Sequence, residues 1–411
     1  MENLQKHGEV SERFGRCLAT GARLGTSYCD FLGRQRVEFC RHLFVAFTAL
    51  LLGFGLLMVH SASVTSWPTE FEQVYLSRHL AFLAIGISVS GFAATRTAEF
   101  WRKAAPWLFL LTVMLLVAVL IPGIGVRVKG ARRWIRVPGM SAQPSELAKI
   151  AVPLMMCWLV DRNRDRLHRW FGGTIPFVFP VLLTVPLVLI EPDLGTAVFL
   201  LGGATLVLFA GGWPIRNFLL GVGLAVPAAL GALAMKPYQQ QRITGFLQSW
   251  ANFDDAPYQL KQSLVTMGAG GVQGVGLGRG WQKLSFLPEA NTDFVFAVIG
   301  EELGLIGTIS LIALWCGLYL AGLRMLSHLD NRRFAFLAGF TLLTQLAGQA
   351  MLNVAVVTAM VPPKGISHPL ISAGGSNLVV SLLAIGIVLS LSRDEGETKK
   401  TGSGIELLCP S

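Results

Sequence analysis

The segment "LPEANTDFVFAVIGEELG" at residues 287–304 places carboxylates at the start of an apolar run and inside it. Asp293 stands at the threshold, and Glu289 precedes it by four residues. A carboxylate at a partly dehydrated boundary has a raised pKa and can accept a proton from a substrate hydroxyl near neutral pH. We therefore predict a general base at Asp293, with a helix N-cap as the alternative. Glu301 and Glu302 are expected to support helix packing or to pair with cations of other helices.

Other titratable residues stand near the ends of apolar segments. Glu146 and Lys149 in "QPSELAK" are three residues apart, which places them on one face of a helix. This pair either serves helix packing alone or serves packing and also tunes a neighbouring acid. The second role is considered because a buried ion pair contributes little net stability. Asp193 in "EPDLGT" is either a helix N-cap or a site residue. Arg78 either reaches the membrane interface or points into a central cavity.

Basic residues gather in loops expected on the same side of the molecule as these acids. Lys364 is held between two prolines and a glycine, which makes it a stiffly presented charge. His368 has no second His or Cys at ligand spacing, so no metal site is predicted there. The loop at 123–146 is expected to meet an anionic partner, because it crowds five basic residues, Arg127, Lys129, Arg132, Arg133 and Arg136.

The composition identifies the elements that must hold these residues. Of 411 residues, 53% are hydrophobic and only 14% are charged, which is typical of an integral membrane protein. A bilayer core of about 30 Å needs about 20 apolar residues per helix. The sequence predicts an all-α polytopic membrane protein with about ten transmembrane helices, at 42–62, 78–95, 105–124, 145–160, 174–190, 194–211, 216–235, 294–320, 334–357 and 368–391.

The segments between the spans predict the organisation of the chain. Residues 1–41 form a cytoplasmic tail with a retained first span, 42–393 form the transmembrane domain, and 394–411 form a disordered cytoplasmic tail. A long extracytoplasmic loop at 236–293 joins the seventh and eighth spans. Lys and Arg are more numerous on the side of the two tails, so the positive-inside rule places both termini in the cytoplasm.

Charge and cysteine usage exclude several functions. The net charge of +10 fits an anionic inner leaflet, and no recognition motif indicates nucleic acid. The six cysteines avoid the predicted outer loops, which argues against a disulfide framework. The glycine cluster at 268–280 lacks a following Lys-Ser/Thr and a preceding strand, so it predicts a tightly turning loop rather than a nucleotide site. An isolated acid, several cations and apolar helices on the outer side favour glycosyl transfer from a lipid diphosphate.

Five motifs in this order resemble those of one family. They are "KGARRWI", "QPSELAK", "PDLGT", the run from "YQLKQSLVTMGAGG" through "TDFVFAVIGEELGLIG", and "PPKGISHPLISAGGSN". Over residues 42–393 the chain resembles the SEDS (shape, elongation, division and sporulation) family of FtsW and RodA. Its "QKLSFLPEA" is more similar to the division branch of that family than to the elongation branch.

The resemblance implies a peptidoglycan glycosyltransferase that polymerises lipid II on the outer face of the bacterial cytoplasmic membrane. It also implies a class B penicillin-binding protein as partner, together with other division proteins, and it leaves a divalent cation open as a cofactor. The acid of "TDF" is the family's catalytic residue, which corresponds to Asp293. The expected substrate-binding and supporting residues are Arg78, Lys129, Arg132, Arg133, Glu146, Lys149, Asp193, Arg242, Lys283, Glu289 and Lys364.

Departures from the family pattern keep two other functions open. Asn291 stands where "AHTDF" has His, and "QSW" at 248–250 replaces "NPW". Ala373 replaces the Tyr of "PLISYGGSS", and His368 stands directly before that motif. One alternative is a lipid II flippase, which ten spans with intramembrane charges would also suit. The other is a division scaffold that has lost catalysis, against which the retention of Asp293 counts.

Overall fold

The structure is a computed structural model that describes residues 35–61, 70–128, 130–137, 140–167, 170–221, 223, 237–253, 256–281, 287–329 and 333–393. Helices dominate these residues. They are α1 (Gln35–Ser61), α2 (Glu70–Thr95), α3 (Ala98–Leu120), α4 (Pro144–Arg162), α5 (Trp170–Ile190), α6 (Leu194–Ala210), α7 (215–221), α8 (Pro237–Ala251), α9 (Tyr258–Gly270), α10 (Val295–Leu326), α11 (Arg333–Val357) and α12 (Gly375–Leu391).

The predicted polytopic membrane architecture is confirmed. Among the described residues, five helices are long and apolar enough to cross a membrane, namely α1, α2, α3, α10 and α11. The apolar stretches Ile175–Ile190, Leu194–Ala210 and Gly375–Leu391 are shorter. Each predicted span corresponds to a helix, although the seventh does so only over 215–221, because 224–236 lie outside the described residues. The predicted disordered tail at 394–411 also lies outside them.

Several helix ends differ from the predicted spans, among them those of α2, which begins at Glu70 rather than near 78, and α3, which begins at Ala98 rather than near 105. Helix α1 begins at Gln35, so the helix extends into the segment predicted as the N-terminal tail. Helix α12 begins at Gly375 rather than near 368. The preceding segment cannot be helical, because Pro369 disfavours helix at His368 and Leu370 has a φ of 63°.

The basic loop before α4 forms a small sheet that the sequence analysis did not predict. Strands β1 (Gly125–Val128), β2 (Ala131–Val137) and β3 (Met140–Ala142) make a three-stranded antiparallel sheet in the order β1-β2-β3. Alternating Arg with Val, Ile and Trp suits strands, since one face can be apolar and the other polar. Strand β3 leads into α4 at Pro144, the first helical position, where proline is well tolerated.

The helices pack closely where small residues allow it. Helix α12 lies along α2, and α4 packs against α3, α5, α6 and α11. At Gly386 a side chain would collide with the backbone of Ser90, so this glycine permits the close approach of α12 to α2.

The glycine cluster turns against α10 and explains the two deeper glutamates. Val275 N and Gly276 N donate to the carbonyl oxygens of Glu301 and Glu302 at 3.0 Å each. The Glu301 carboxylate accepts from Trp281 N at 2.8 Å. Backbone atoms of the turn come so close to the kink at Gly304, which has a φ of 64°, that no side chain would fit there.

A serine at the end of α1 completes this arrangement. Ser61 Oγ donates to Glu302 Oε2 at 2.5 Å and accepts from Gly278 N at 3.0 Å. Both glutamates are buried, and their hydrogen bonds hold the glycine turn to α10 and α1. The expected packing role therefore extends to the glycine turn as well as to the helices.

Candidate active site

One cavity of about 340 Å³ is lined by six of the twelve residues that the sequence analysis selected, Arg133, Glu146, Lys149, Asp193, Glu289 and Asp293. It lies at the N-terminal ends of α4, α6, α10 and α12, with β2 on one side. Its polar lining combines carboxylates, cations, amides and hydroxyls from segments far apart in the chain: Arg133, Gln143, Glu146, Lys149, Asp193, Thr196, Glu289, Thr292, Asp293, Ser367, Ser376 and Asn377.

Asp293 is half-buried at the wall of this cavity. Helix α10 has Phe294 as its N-cap residue, without a side-chain cap, so the structure does not use Asp293 as a cap. Ser367 Oγ donates to Asp293 Oδ1 at 3.3 Å. On the other side, a Cβ atom at Gly365 would lie 2.9 Å from Asp293 Oδ2. The carboxylate is thus bounded by the loop that precedes α12.

Glu289 shapes the turn that leads to Asp293. Its φ is 58°, and its carbonyl oxygen accepts from Thr292 N at 3.1 Å and from Phe294 N at 3.2 Å. The carboxylate accepts from Thr292 Oγ1 at 3.0 Å. Glu289 is exposed and lines the cavity, so it can face a ligand while its backbone fixes the turn.

Glu146 and Lys149 form a buried ion pair in the first turns of α4. Lys149 Nζ lies 2.8 Å and 2.9 Å from the two Glu146 oxygens, and each side chain is 11% exposed. Lys149 also donates to Gln349 Oε1 at 3.2 Å, and Gln349 Nε2 donates to Ser367 O at 2.9 Å. The ion pair is therefore linked through α11 to the serine that contacts Asp293.

Asp193 both caps α6 and lines the cavity. Its carboxylate accepts from Thr196 N at 3.2 Å, Thr196 Oγ1 at 3.0 Å and Gln143 Nε2 at 3.2 Å. Arg133 Nη1 lies 3.9 Å from Asp193 Oδ2. The two roles that the sequence left as alternatives, capping and a place at the site, are thus combined in one residue.

Glu191 is a buried acid that the sequence analysis did not select. It is 0% exposed, and its carboxylate oxygens have no hydrogen-bond partner. Arg133 donates to the carbonyl oxygens of Glu191, at 3.0 Å, and Pro192. Burial, reinforced by the Asp193 charge and opposed by Arg133, raises the pKa of Glu191 to about 8. The motif pattern selects its neighbour Asp193 as a candidate site residue and contains no signal that distinguishes Glu191.

Replacing Glu191 should change how stability depends on pH. Because its pKa rises from 4.5 in the unfolded chain to about 8, the folded state retains a proton that the unfolded state loses between these values. Stability then falls as pH rises through this window. We expect Glu191→Gln to melt like the wild type near pH 5 and a few degrees above it at pH 8, measured by tryptophan fluorescence in detergent.

The exposed carboxyl of Glu38 offers a control for that measurement. Glu38→Gln should leave the difference in melting temperature between pH 5 and pH 8 unchanged. A Glu191→Gln variant whose melting temperature follows the wild type at every pH would show that Glu191 ionises normally in the folded protein.

Two further cations lie near the cavity without lining it. Lys364 is half-buried, and burial lowers its pKa while the charge of Asp193 opposes that shift. Arg242 Nη1 donates to Pro363 O at 3.5 Å, so it supports the loop that carries Lys364. Both residues are therefore gathered at the same end of the molecule as Asp293.

Other predicted site residues lie elsewhere. Arg132 donates to Leu120 O at 3.4 Å, where it serves the C-terminal end of α3. Arg78 is exposed on α2 and is not among the residues that line the cavity. Lys129 and Lys283 lie outside the described residues.

Two residues that depart from the family pattern, His368 and Ala373, have defined contacts in the structure. His368 is 0% exposed, its ring centre lies 5.7 Å from that of Trp315 with the two rings tilted by 54°, and burial lowers its pKa to about 4. It is therefore neutral at physiological pH. Ala373 acts through its backbone, because its N–H donates to Asn291 O at 2.9 Å. The side chain at 373 takes no part in that bond.

A metal cluster is not found in the described part of the chain. No group of three or more His, Cys, Asp or Glu residues there is placed to hold a metal ion. Mg²⁺ often uses only one or two carboxylates together with substrate phosphates. The divalent cation left open by the sequence analysis therefore stays a prediction.

Comparisons with known proteins agree with this architecture. A family model for FtsW, RodA and SpoVE, described as "Cell cycle protein", matches residues 41–397. A protein of Geobacter sp. (strain M18) is 38% identical over 361 residues, which cover 87% of this chain and 98% of the relative. A protein of Coxiella burnetii is 36% identical and covers 84% of this chain and 94% of the relative. Both relatives are called "Probable peptidoglycan glycosyltransferase FtsW".

Solved structures share the fold. The crystal structure of the rod shape determining protein RodA from Thermus thermophilus is 26% identical, with a TM-score of 0.63 over 85% of this chain and 96% of that one. A chain from a peptidoglycan synthase complex that coordinates polymerization and crosslinking has a TM-score of 0.68 at 23% identity, with the same coverage.

Proposed function

The chain belongs to the FtsW/RodA/SpoVE family of cell cycle proteins, and we propose that it polymerises lipid II into glycan strands with Asp293 as the general base. Its relatives carry the name peptidoglycan glycosyltransferase, and the chain is an enzyme of that kind. The substrate, the acting residues and the cellular role given below are part of the proposal.

The proposal depends on one observation above all, the gathering of Asp293 and three further carboxylates with Arg133 and Lys149 in a cavity at four helix N-termini. Each N-terminus carries about half a positive elementary charge. The first residues of α4, α6 and α12 line this cavity, as do Thr292 and Asp293 just before α10. Such an arrangement favours an anion such as a diphosphate.

The proposed reaction uses this geometry as follows. Asp293 accepts the proton of the 4-hydroxyl on the acceptor sugar as that oxygen attacks the anomeric carbon of the donor strand. The bond from this carbon to the phosphate oxygen breaks, and undecaprenyl diphosphate leaves. Positive charge from Arg133, Lys364 and the helix ends stabilises the negative charge that grows on the leaving group.

We place this cavity on the outer face of the bacterial cytoplasmic membrane, with both termini in the cytoplasm. A class B penicillin-binding protein would crosslink the strands, and the setting would be septal cell division. Support comes from the positive-inside rule and from the relatives called FtsW.

The flippase differs from the polymerase in where its charges should lie. Transporters commonly bind substrate near the bilayer midplane. Here the cavity-lining acids and cations lie in the first turns of helices or before them. That one-sided placement favours the polymerase. The scaffold alternative is disfavoured because the acid of the "TDF" motif is retained and faces the cavity.

The test is strand formation from labelled lipid II in proteoliposomes, with the protein alone and with its class B penicillin-binding protein. We expect a glycan polymer, with more product in the presence of the partner. Translocation of labelled lipid II without polymer would support the flippase. Neither product from folded, partner-bound protein would support the scaffold.

A further inference from the structure

The backbone that carries Asp293 is held from one side at three consecutive residues. Asn291 O accepts from Ala373 N at 2.9 Å, and Thr292 O accepts from Ser372 Oγ at 2.5 Å. The carbonyl oxygen of Asp293 accepts from Asn353 Nδ2 at 2.7 Å. These residues precede α10, so no helix hydrogen bonds fix them. The three bonds from α11 and the loop before α12 take that place.

Asn353 differs from the other two donors because it serves two segments at once. Its Nδ2 also donates to Ile366 O at 2.7 Å. Ile366 lies between Gly365 and Ser367, the two residues that bound the Asp293 carboxylate. One amide group thus fixes both the backbone of the acid and the loop that contacts its side chain.

The burial of Asn353 indicates that this arrangement is not ordinary packing. The residue is 0% exposed in an apolar helix, and its Oδ1 has no hydrogen-bond partner. A buried polar atom without a partner destabilises the folded state, whereas a leucine would fill a similar volume without burying such an atom. The orientation of the amide follows from chemistry, since two carbonyl oxygens require donors.

We propose that Asn353 is a positioning residue, which holds the Asp293 backbone and the loop at 365–367 in one fixed geometry. This inference rests on the proposed function, since positioning has meaning only if Asp293 acts as the base. Asn353 contacts no reacting atom itself. Its effect is expected on the rate of the chemical step, because a small displacement of a base is costly for proton transfer.

The test replaces Asn353 with leucine in the full-length protein and measures two independent properties. With lipid II as substrate, we expect kcat to fall by about 10–100-fold while KM stays within about two-fold, in line with the cost of misplaced catalytic groups. Hydrogen–deuterium exchange of peptides covering 287–300 should become faster, since that segment loses a fixed point.

Two matched variants make the outcome specific. Gln345→Leu removes another buried amide from the same face of α11, two turns away, and should change neither kcat nor exchange at 287–300. In a Ser367→Ala background, Asn353→Leu should cost less than in the wild type, because both residues act on Asp293.

The results separate this inference from the proposed function. An unchanged kcat, or an exchange rate at 287–300 that matches the wild type, would overturn the positioning role. A wild type that forms no polymer would overturn the proposed function and the catalytic part of this inference. Faster exchange in Asn353→Leu but not in Gln345→Leu would still establish that Asn353 holds the backbone of Asp293 in place.

Discussion

Asp293→Asn is expected to reduce glycan polymerisation from lipid II by about 10²–10⁴-fold, the usual contribution of a general base. The amide cannot accept the proton of the attacking hydroxyl, yet its oxygen can still accept the hydrogen bond from Ser367 Oγ. Folding should therefore be unaffected. Initial rates in proteoliposomes, with melting temperature as the measure of folding, would check both statements.

Asp165→Asn provides the control for this experiment. Asp165 is an exposed acid in the short 3₁₀ turn beyond the C-terminal end of α4, whereas the cavity lies at the other end of that helix. Its replacement should leave polymerisation unchanged. A folded Asp293→Asn protein with the normal rate would remove Asp293 from the mechanism.

Lys149→Met should strongly lower the stability of the folded protein. The substitution leaves the Glu146 carboxylate buried without its cation, and breaking a buried ion pair in this way costs about 3–5 kcal/mol. It also removes the hydrogen bond to Gln349 and the contact of the ammonium with the Phe199 ring, 5.3 Å away. The melting temperature in detergent measures this loss.

The double variant Glu146→Gln/Lys149→Met separates the two roles of the pair that the sequence left open. With both charges removed, most of the stability should return. Activity should stay low, because Gln349 still lacks the partner that orients it towards Ser367. Full recovery of polymerisation along with stability would instead assign the pair to helix packing alone.

The membrane architecture was predictable because it depends on composition and length. Apolar runs of about 20 residues have few other solutions, so each predicted span corresponds to a helix wherever the structure describes it. The ends were less predictable. Helix α12 begins seven residues later than the predicted span, because Pro369 and Leu370 interrupt the helix. Hydropathy alone contains no information about such an interruption.

The small sheet at 125–142 escaped prediction for a related reason. Its strands are short and rich in arginine, so the sequence pattern of this segment is dominated by its charge. The folding of this segment separates neighbours in sequence. Arg133 lines the cavity, whereas the adjacent Arg132 turns to the end of α3, and a count of basic residues could not distinguish them.

The site was predictable as a set of residue types but not as a geometry. Acids at helix starts identified Glu146, Asp193 and Asp293, since their positions follow from local sequence. Asn353 and Glu191 act through contacts with segments that are distant in the chain or through burial. Asn353 lies within an apolar run and Glu191 lies beside the motif residue Asp193. Neither position carries a local sequence signal of a positioning residue or of a buried acid.

The order in which the cavity-lining residues occur in the chain has a consequence for biosynthesis. Chains are made from the N-terminus, and the walls contributed by β2, α4 and α6 exist well before Ser376 and Asn377 are synthesised. Helix α12 also lies along α2, near the start of the described chain. A nascent or truncated chain that lacks its final helix therefore has no closed cavity. The closure of the cavity therefore depends on the segment at 374–377, which is synthesised last among the segments that line it.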